Sequence, residues 1–303
     1  MDSLEDVLAR LATSPSSSYH AGGENASEPT ALAALALLAH GRGEAAQTRL
    51  DWLADLQSPD GSVGIDAKQS TPGWPTGLAV LAWQAAQDSP ARSDRYAAAL
   101  ERGVHWMLQM QGVVIERGDW SGHDTSLRGW SWVEGTHSWL EPTAMNLLAL
   151  EHTGHGAHPR AQEAGRMLHD RLLPGGGCNY GNTVVFGQEL RAHLQPSGMC
   201  LLALSGCSER TPRIETSVGY LQRELNDRTT TDSLCYALLG LAAWQRAAAG
   251  ADRWLSTAAQ RVLTRDAASY KLALLALAAM GRDCPLIPRS HAAGVTKPTQ
   301  GGA

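Results

Sequence analysis

The sequence predicts an all-α fold, laid out as a closed double ring of five to six helical hairpins, on three observations. A helix-start tetrad recurs six times, apolar helical runs follow its copies, and more amphipathic segments alternate with those runs. Self-similarity of this kind marks a repeat architecture, in which each unit buries its apolar face against the next.

The tetrad is built on Pro, then Thr or Ser, then a small residue. It reads Glu28-Pro29-Thr30-Ala31, Trp74-Pro75-Thr76-Gly77, Glu141-Pro142-Thr143-Ala144 and Gln195-Pro196-Ser197-Gly198, with looser copies at Thr231-Asp232-Ser233-Leu234 and Asp266-Ala267-Ala268-Ser269. Proline suits a first helical turn, where its missing N–H has no partner to lose, and polar neighbours can cap the free amides. Runs such as 31–39 and 271–279 are apolar nearly all round, as helices of an inner ring must be. Segments 48–56, 95–109, 162–173, 214–225 and 253–263 are amphipathic and fit an outer ring. Copies are spaced by roughly 35 to 70 residues, and the longest insert covers 117–140. An open solenoid keeps a tighter period, so the irregular inserts favour a closed ring. The chain divides into an N-terminal helix and linker (1–24), the repeat domain (25–284) and a loose tail (285–303), the two ends being rich in Ser, Gly or Pro and dispensable to the ring.

Of the 303 residues, 43% are hydrophobic and 18% charged, enough apolar matter for a sizeable core in a soluble protein. The net charge is −5, and no dense Lys/Arg run occurs, which speaks against nucleic acid or an anionic membrane as partner. The start, Met1-Asp2-Ser3-Leu4-Glu5-Asp6, lacks the basic and apolar regions of a signal peptide, and no apolar stretch reaches the length of a membrane span. The five cysteines are scattered without Cys-x-x-Cys spacing, which points to reduced thiols in a cytoplasmic chain.

A second motif bears on family. Arg102-Gly103-Val104-His105-Trp106-Met107-Leu108-Gln109-Met110-Gln111 leads to Gly118-Asp119-Trp120, and weaker copies stand at 52–63 and 172–180. This pattern resembles the QW repeat of squalene and oxidosqualene cyclases, within the group that also holds the protein prenyltransferases, and the resemblance covers about residues 25 to 282. It implies an α/α toroid, with the motif's Gln and Trp tying the end of an outer helix to the next turn.

For chemistry, the resemblance implies an acid-initiated cyclase or isomerase of isoprenoids, needing no cofactor beyond a proton and a dry aromatic cavity. Such cyclases open an inner helix with Asp-x-Asp-Asp-Thr-Ala. Here Trp139-Leu140-Glu141-Pro142-Thr143-Ala144 keeps Thr143 and Ala144, puts Glu141 at the donor position and loses the other two acids to Trp139 and Pro142. Glu141 is therefore the best general acid, with Asp124, Glu134 and His137 as alternates; it also suits the helix N-terminus simply as an anion. Trp120, Trp130, Trp132 and Trp139 in the insert, with Tyr180 and Phe186 from its counterpart loop, would line the cavity and stabilise cations, or else pack as core. A prenyltransferase zinc site finds only Asp232-Ser233-Leu234-Cys235, whose spacing departs from that family's, and Glu151-His152 with His155 and His158 reads as a surface loop, so no metal is expected. The expected ligand is an isoprenoid or another apolar small molecule. A second reading is a non-catalytic toroid that binds a lipid, peptide or protein partner through its tryptophan-rich face. A third is an (α/α) carbohydrate-active enzyme, since paired acids and tryptophans also suit sugars; the QW pattern stands against it.

Overall fold

The computed structural model describes residues 2–110, 112–116 and 122–288. In chain order these form α1 (Asp2–Thr13), α2 (Ser27–Ala39), α3 (Gly43–Leu56), α4 (Thr76–Gln87), α5 (Asp94–Gln109), α6 (Leu140–His152) and α7 (Pro159–Asp170). A short hairpin follows, β1 (Val184–Val185) and β2 (Gln188–Glu189), then α8 (Leu194–Leu204), α9 (Pro212–Glu224), α10 (Thr231–Ala243), α11 (Ala251–Arg265) and α12 (Ser269–Ala279). The even-numbered helices are the inner ring. Each packs on the inner helix before and after it, and α12 packs on α2, so the ring is closed. The fold is an all-α double ring, an α/α toroid, of six hairpins.

Five inner helices take as outer partner the helix that follows them in sequence. The sixth, α12, takes α1 from the opposite end of the chain. Val7, Leu8 and Leu11 of α1 are buried, so this helix is part of the outer ring, where the sequence suggested a dispensable appendage.

Inner helices are apolar all round because they are enclosed all round: every α2 residue from Ser27 to Leu37 is buried. Small residues set how close they come. A Cβ on Gly198 of α8 would lie 2.3 Å from the Tyr236 carbonyl oxygen of α10, a contact only glycine permits. Among the described residues no helix is long and apolar enough to cross a membrane.

The Pro-Thr/Ser tetrads do more than start helices. Thr76, Thr143 and Ser197 are completely buried, and their hydroxyls accept the backbone N–H of Val63 (2.8 Å), Trp130 (2.9 Å) and Cys178 (2.9 Å) respectively. Each hydroxyl donates in turn to a carbonyl just before its helix: Gly73, Trp139 and His193. The tetrad thus pins the incoming loop to each inner helix start and pairs an amide that burial would otherwise strand. Gln57, at the end of α3, donates to Gly61 O and, at 2.8 Å, to Ala99 O of α5, joining neighbouring outer helices.

Candidate active site

The inner-helix N-termini gather carboxyl groups at one mouth of the ring. Glu28, Glu141 and Asp232 stand in the first turns of α2, α6 and α10, the first, third and fifth inner helices. A helix N-terminus favours an anion, but desolvation opposes it, and here desolvation wins. Glu28 is only 6% exposed. Burial pushes its pKa up to about 7, although the Tyr19 hydroxyl donates to Glu28 Oε2 at 2.6 Å and favours the anion. Glu141 keeps a strip of surface, yet protein atoms crowd it on most sides. Burial, then the nearby charges of Glu28 and Asp232, push it up to about 8.

The two glutamates therefore differ in environment. Glu28 has a phenol to hold its charge. Glu141 has no such donor among the groups that act on it, so it is the better place for a proton near neutral pH. Asp232 is half-buried and opens on a surface depression. Among the described residues no three His, Cys, Asp or Glu side chains lie close enough to hold one metal ion, so the three carboxyls surround the mouth without converging. Tyr236 of α10 is fully buried within electrostatic range of Glu28 and Glu141, and its hydroxyl has no partner among the described residues. Tyr19 and Tyr270 close this side of the mouth, their rings 5.3 Å apart.

Of the residues singled out from sequence, two flank Glu141 directly. Trp139 precedes α6 and lays its indole against the His137 ring at 4.6 Å. Tyr180 accepts the Leu140 N–H at 2.9 Å, which places it beside Glu141; the Glu141 charge adds to burial in raising its phenol pKa. Trp132 packs edge-on against Trp74 at 4.7 Å, before α4.

The others lie elsewhere. Trp130 is fully buried: its indole N–H donates to Met107 O at 3.0 Å and the Arg160 guanidinium covers its ring at 4.4 Å. It fills the place that Val63 and Cys178 fill in neighbouring repeats, so it is core and does not line a cavity. Asp124 organises a turn, accepting from the Ser126 amide and hydroxyl, while its own N–H donates to Asp170. Glu134 and His137 are exposed, and neither is among the charges acting on Glu141. Phe186 is 101% exposed at the tip of the β1–β2 hairpin. Trp120, with Gly118 and Asp119, falls outside the described residues. The insert's described tryptophans thus split between core, α4 and α6, and make no single binding face.

Sequence reading missed Glu28, Tyr19, Asp232 and Tyr236 as members of the site. A signal existed: Glu28-Pro29-Thr30 repeats Glu141-Pro142-Thr143, and parallel inner helices carry equivalent positions to the same end.

No protein-family model and no curated protein matches the chain. Solved structures do. A double mutant of Rex8A from Paenibacillus barcinonensis matches at TM-score 0.59 and 10% identity over 95% of this chain and 95% of that one. A reducing-end-xylose releasing exo-oligoxylanase matches at TM-score 0.60 and 11% identity over 95% and 93%. A mutant of Rex8A complexed with xylose gives 0.61 and 10% over the same shares. At these identities the likeness establishes the fold. It also overturns the resemblance to squalene cyclases and prenyltransferases, and with it the isoprenoid-cyclising function, because these matches, which cover the ring nearly end to end, are to Rex8A and a reducing-end-xylose releasing exo-oligoxylanase.

Proposed function

We propose that the chain is a glycoside hydrolase working at the N-terminal mouth of the inner ring. The observation that carries this reading is a carboxyl group, Glu141, largely buried near a second, half-buried carboxyl, Asp232, with its pKa pushed up to about 8 by that burial and its negative neighbours, in a fold whose similar structures include an exo-oligoxylanase. Glycosidic cleavage needs such a pair in different protonation states.

In this scheme Glu141 gives its proton to the glycosidic oxygen as the C–O bond breaks and positive charge builds on the sugar. Asp232 takes a proton from the attacking water, whose oxygen bonds to the anomeric carbon. Both carboxyls end with their protonation states exchanged, and solvent resets them. Glu28 and Tyr19 are positioning residues. Both are within electrostatic range of Glu141, and the Glu28 charge helps keep the proton on it.

The test is release of reducing sugar from xylo-oligosaccharides and other oligosaccharides by wild type, Glu141→Gln and Asp232→Asn. Cleavage by wild type with a loss of about 10²–10⁴-fold in each variant is expected. Absence of cleavage of every oligosaccharide, or full activity in Glu141→Gln, overturns the proposal.

A further inference from the structure

A half-open cavity lies near this mouth. It encloses about 670 Å³ between the strand-like segment 113–115 and the β1–β2 hairpin, a volume in the range of small-molecule sites. Its walls carry Val113, Ile115, Leu127, Val184, Val185 and Phe186. Four of these are exposed large apolar side chains: Val113 44%, Ile115 45%, Val185 36% and Phe186 101%. Apolar groups concentrated in one concavity mark a binding site more often than chance scatter does.

Two of the polar groups in the cavity, Arg171 and His123, are already engaged. Arg171, 5% exposed, pairs with Asp170 and donates to Asp124 O. His123 is held by Thr183 Oγ1 at 3.1 Å, and burial, then Arg171, pulls its pKa down to about 4, so it is neutral at pH 7. Sugar rings are usually held by flat aromatic faces and open hydrogen-bonding groups. Here the apolar part of the wall is mostly branched aliphatic, Val113, Ile115, Leu127, Val184 and Val185, with the Phe186 ring beside it.

Phe186 strengthens the case. It sits at φ 50 and Gly187 at φ 75, the two central positions of a tight hairpin turn that favours Asn-Gly. A phenylalanine there bears left-handed strain of about 1–3 kcal/mol and gains no burial from it. It is also the only phenylalanine in the chain. Fold stability therefore gives no reason for the ring to be there.

The cavity and the mouth share a wall. Gly181 lines the cavity, and a Cβ on it would lie 3.0 Å from the Trp139 indole. His137, also in the lining, stacks on that indole from the cavity side. Glu141 follows Trp139 by two residues, in the first turn of α6, so the cavity lies at the helix end that carries Glu141.

We infer that this groove holds an apolar aglycone, an alkyl chain or aryl group, of the glycoside whose bond is cleaved next to it. The inference rests on the hydrolase reading for the sugar end, but its test reads binding separately from turnover. The probes are methyl, hexyl and octyl glycosides below their micelle concentrations, titrated calorimetrically into Glu141→Gln, with turnover measured on wild type. Kd is expected to tighten about two- to fourfold per added methylene, the upper figure being full burial at about 0.8 kcal/mol each. Phe186→Asn, which suits the turn better, should fold at least as stably and lose about tenfold affinity for the octyl probe with none lost for the methyl one. Affinity independent of chain length, or the same chain-length gradient in Phe186→Asn, overturns the groove. If that gradient and its loss in Phe186→Asn are present but no glycoside is hydrolysed, the groove stands and the hydrolase reading falls.

Discussion

At the residue scale, Glu141 and Glu28 show how two like side chains in like helix turns take different parts. Glu28 has the Tyr19 phenol at 2.6 Å; Glu141 has burial and two negative neighbours. The acid form of Glu141 is the working form, so activity should fall as pH rises through about 8. Replacing Glu28 by Gln removes a negative charge that disfavours the Glu141 anion. Its pKa then drops, and the alkaline limb of the kcat profile should move to lower pH while the plateau below it is kept. A uniform loss at all pH values, with the limb unmoved, would show Glu28 to be structural only. Glutamine preserves an acceptor for Tyr19, which makes the comparison clean.

At the element scale, the buried hydroxyls of the tetrads are the joints of the ring. Thr143→Val keeps shape but strands the buried Trp130 N–H, at a cost of about 1–3 kcal/mol; Thr143→Ser should stay near wild type. Denaturant midpoints of the two variants check this, and equal midpoints would remove the hydroxyl from the account. Most helices were legible in the sequence, because helix starts and apolar runs are local signals: segments 48–56 and 95–109 fall inside α3 and α5. The insert was less legible. Its tryptophans look alike as letters and are sorted only by tertiary partners, Met107 O and Arg160 for Trp130, Trp74 for Trp132, His137 and Gly181 for Trp139.

At the scale of the whole molecule, the ring is closed by two ends of the chain meeting. The pairing of α1 with α12 is the longest-range contact in the fold, and no local pattern announces it. Burying Val7, Leu8 and Leu11 contributes about 1.5–3 kcal/mol each, a large share of a typical net stability of about 5–15 kcal/mol. Leu11→Ala should therefore cost about 2–5 kcal/mol, read as a lowered denaturation midpoint; an unchanged midpoint would make α1 peripheral. Ring closure also explains why the site was only partly legible. Glu28, Glu141 and Asp232 are far apart in sequence and become neighbours only when alternate inner helices present the same end. Glu141 could be picked out by its local motif, whereas its partners needed the ring.

Proton donation by Glu141 is measured most directly by how the activity of Glu141→Gln depends on the leaving group. An acid that protonates the glycosidic oxygen matters most when that oxygen leaves poorly. Glu141→Gln should lose about 10²–10⁴-fold on an alkyl glycoside and little on a dinitrophenyl glycoside, whose leaving group needs no proton. An equal loss on both substrates, or none on either, would contradict Glu141 as the proton donor.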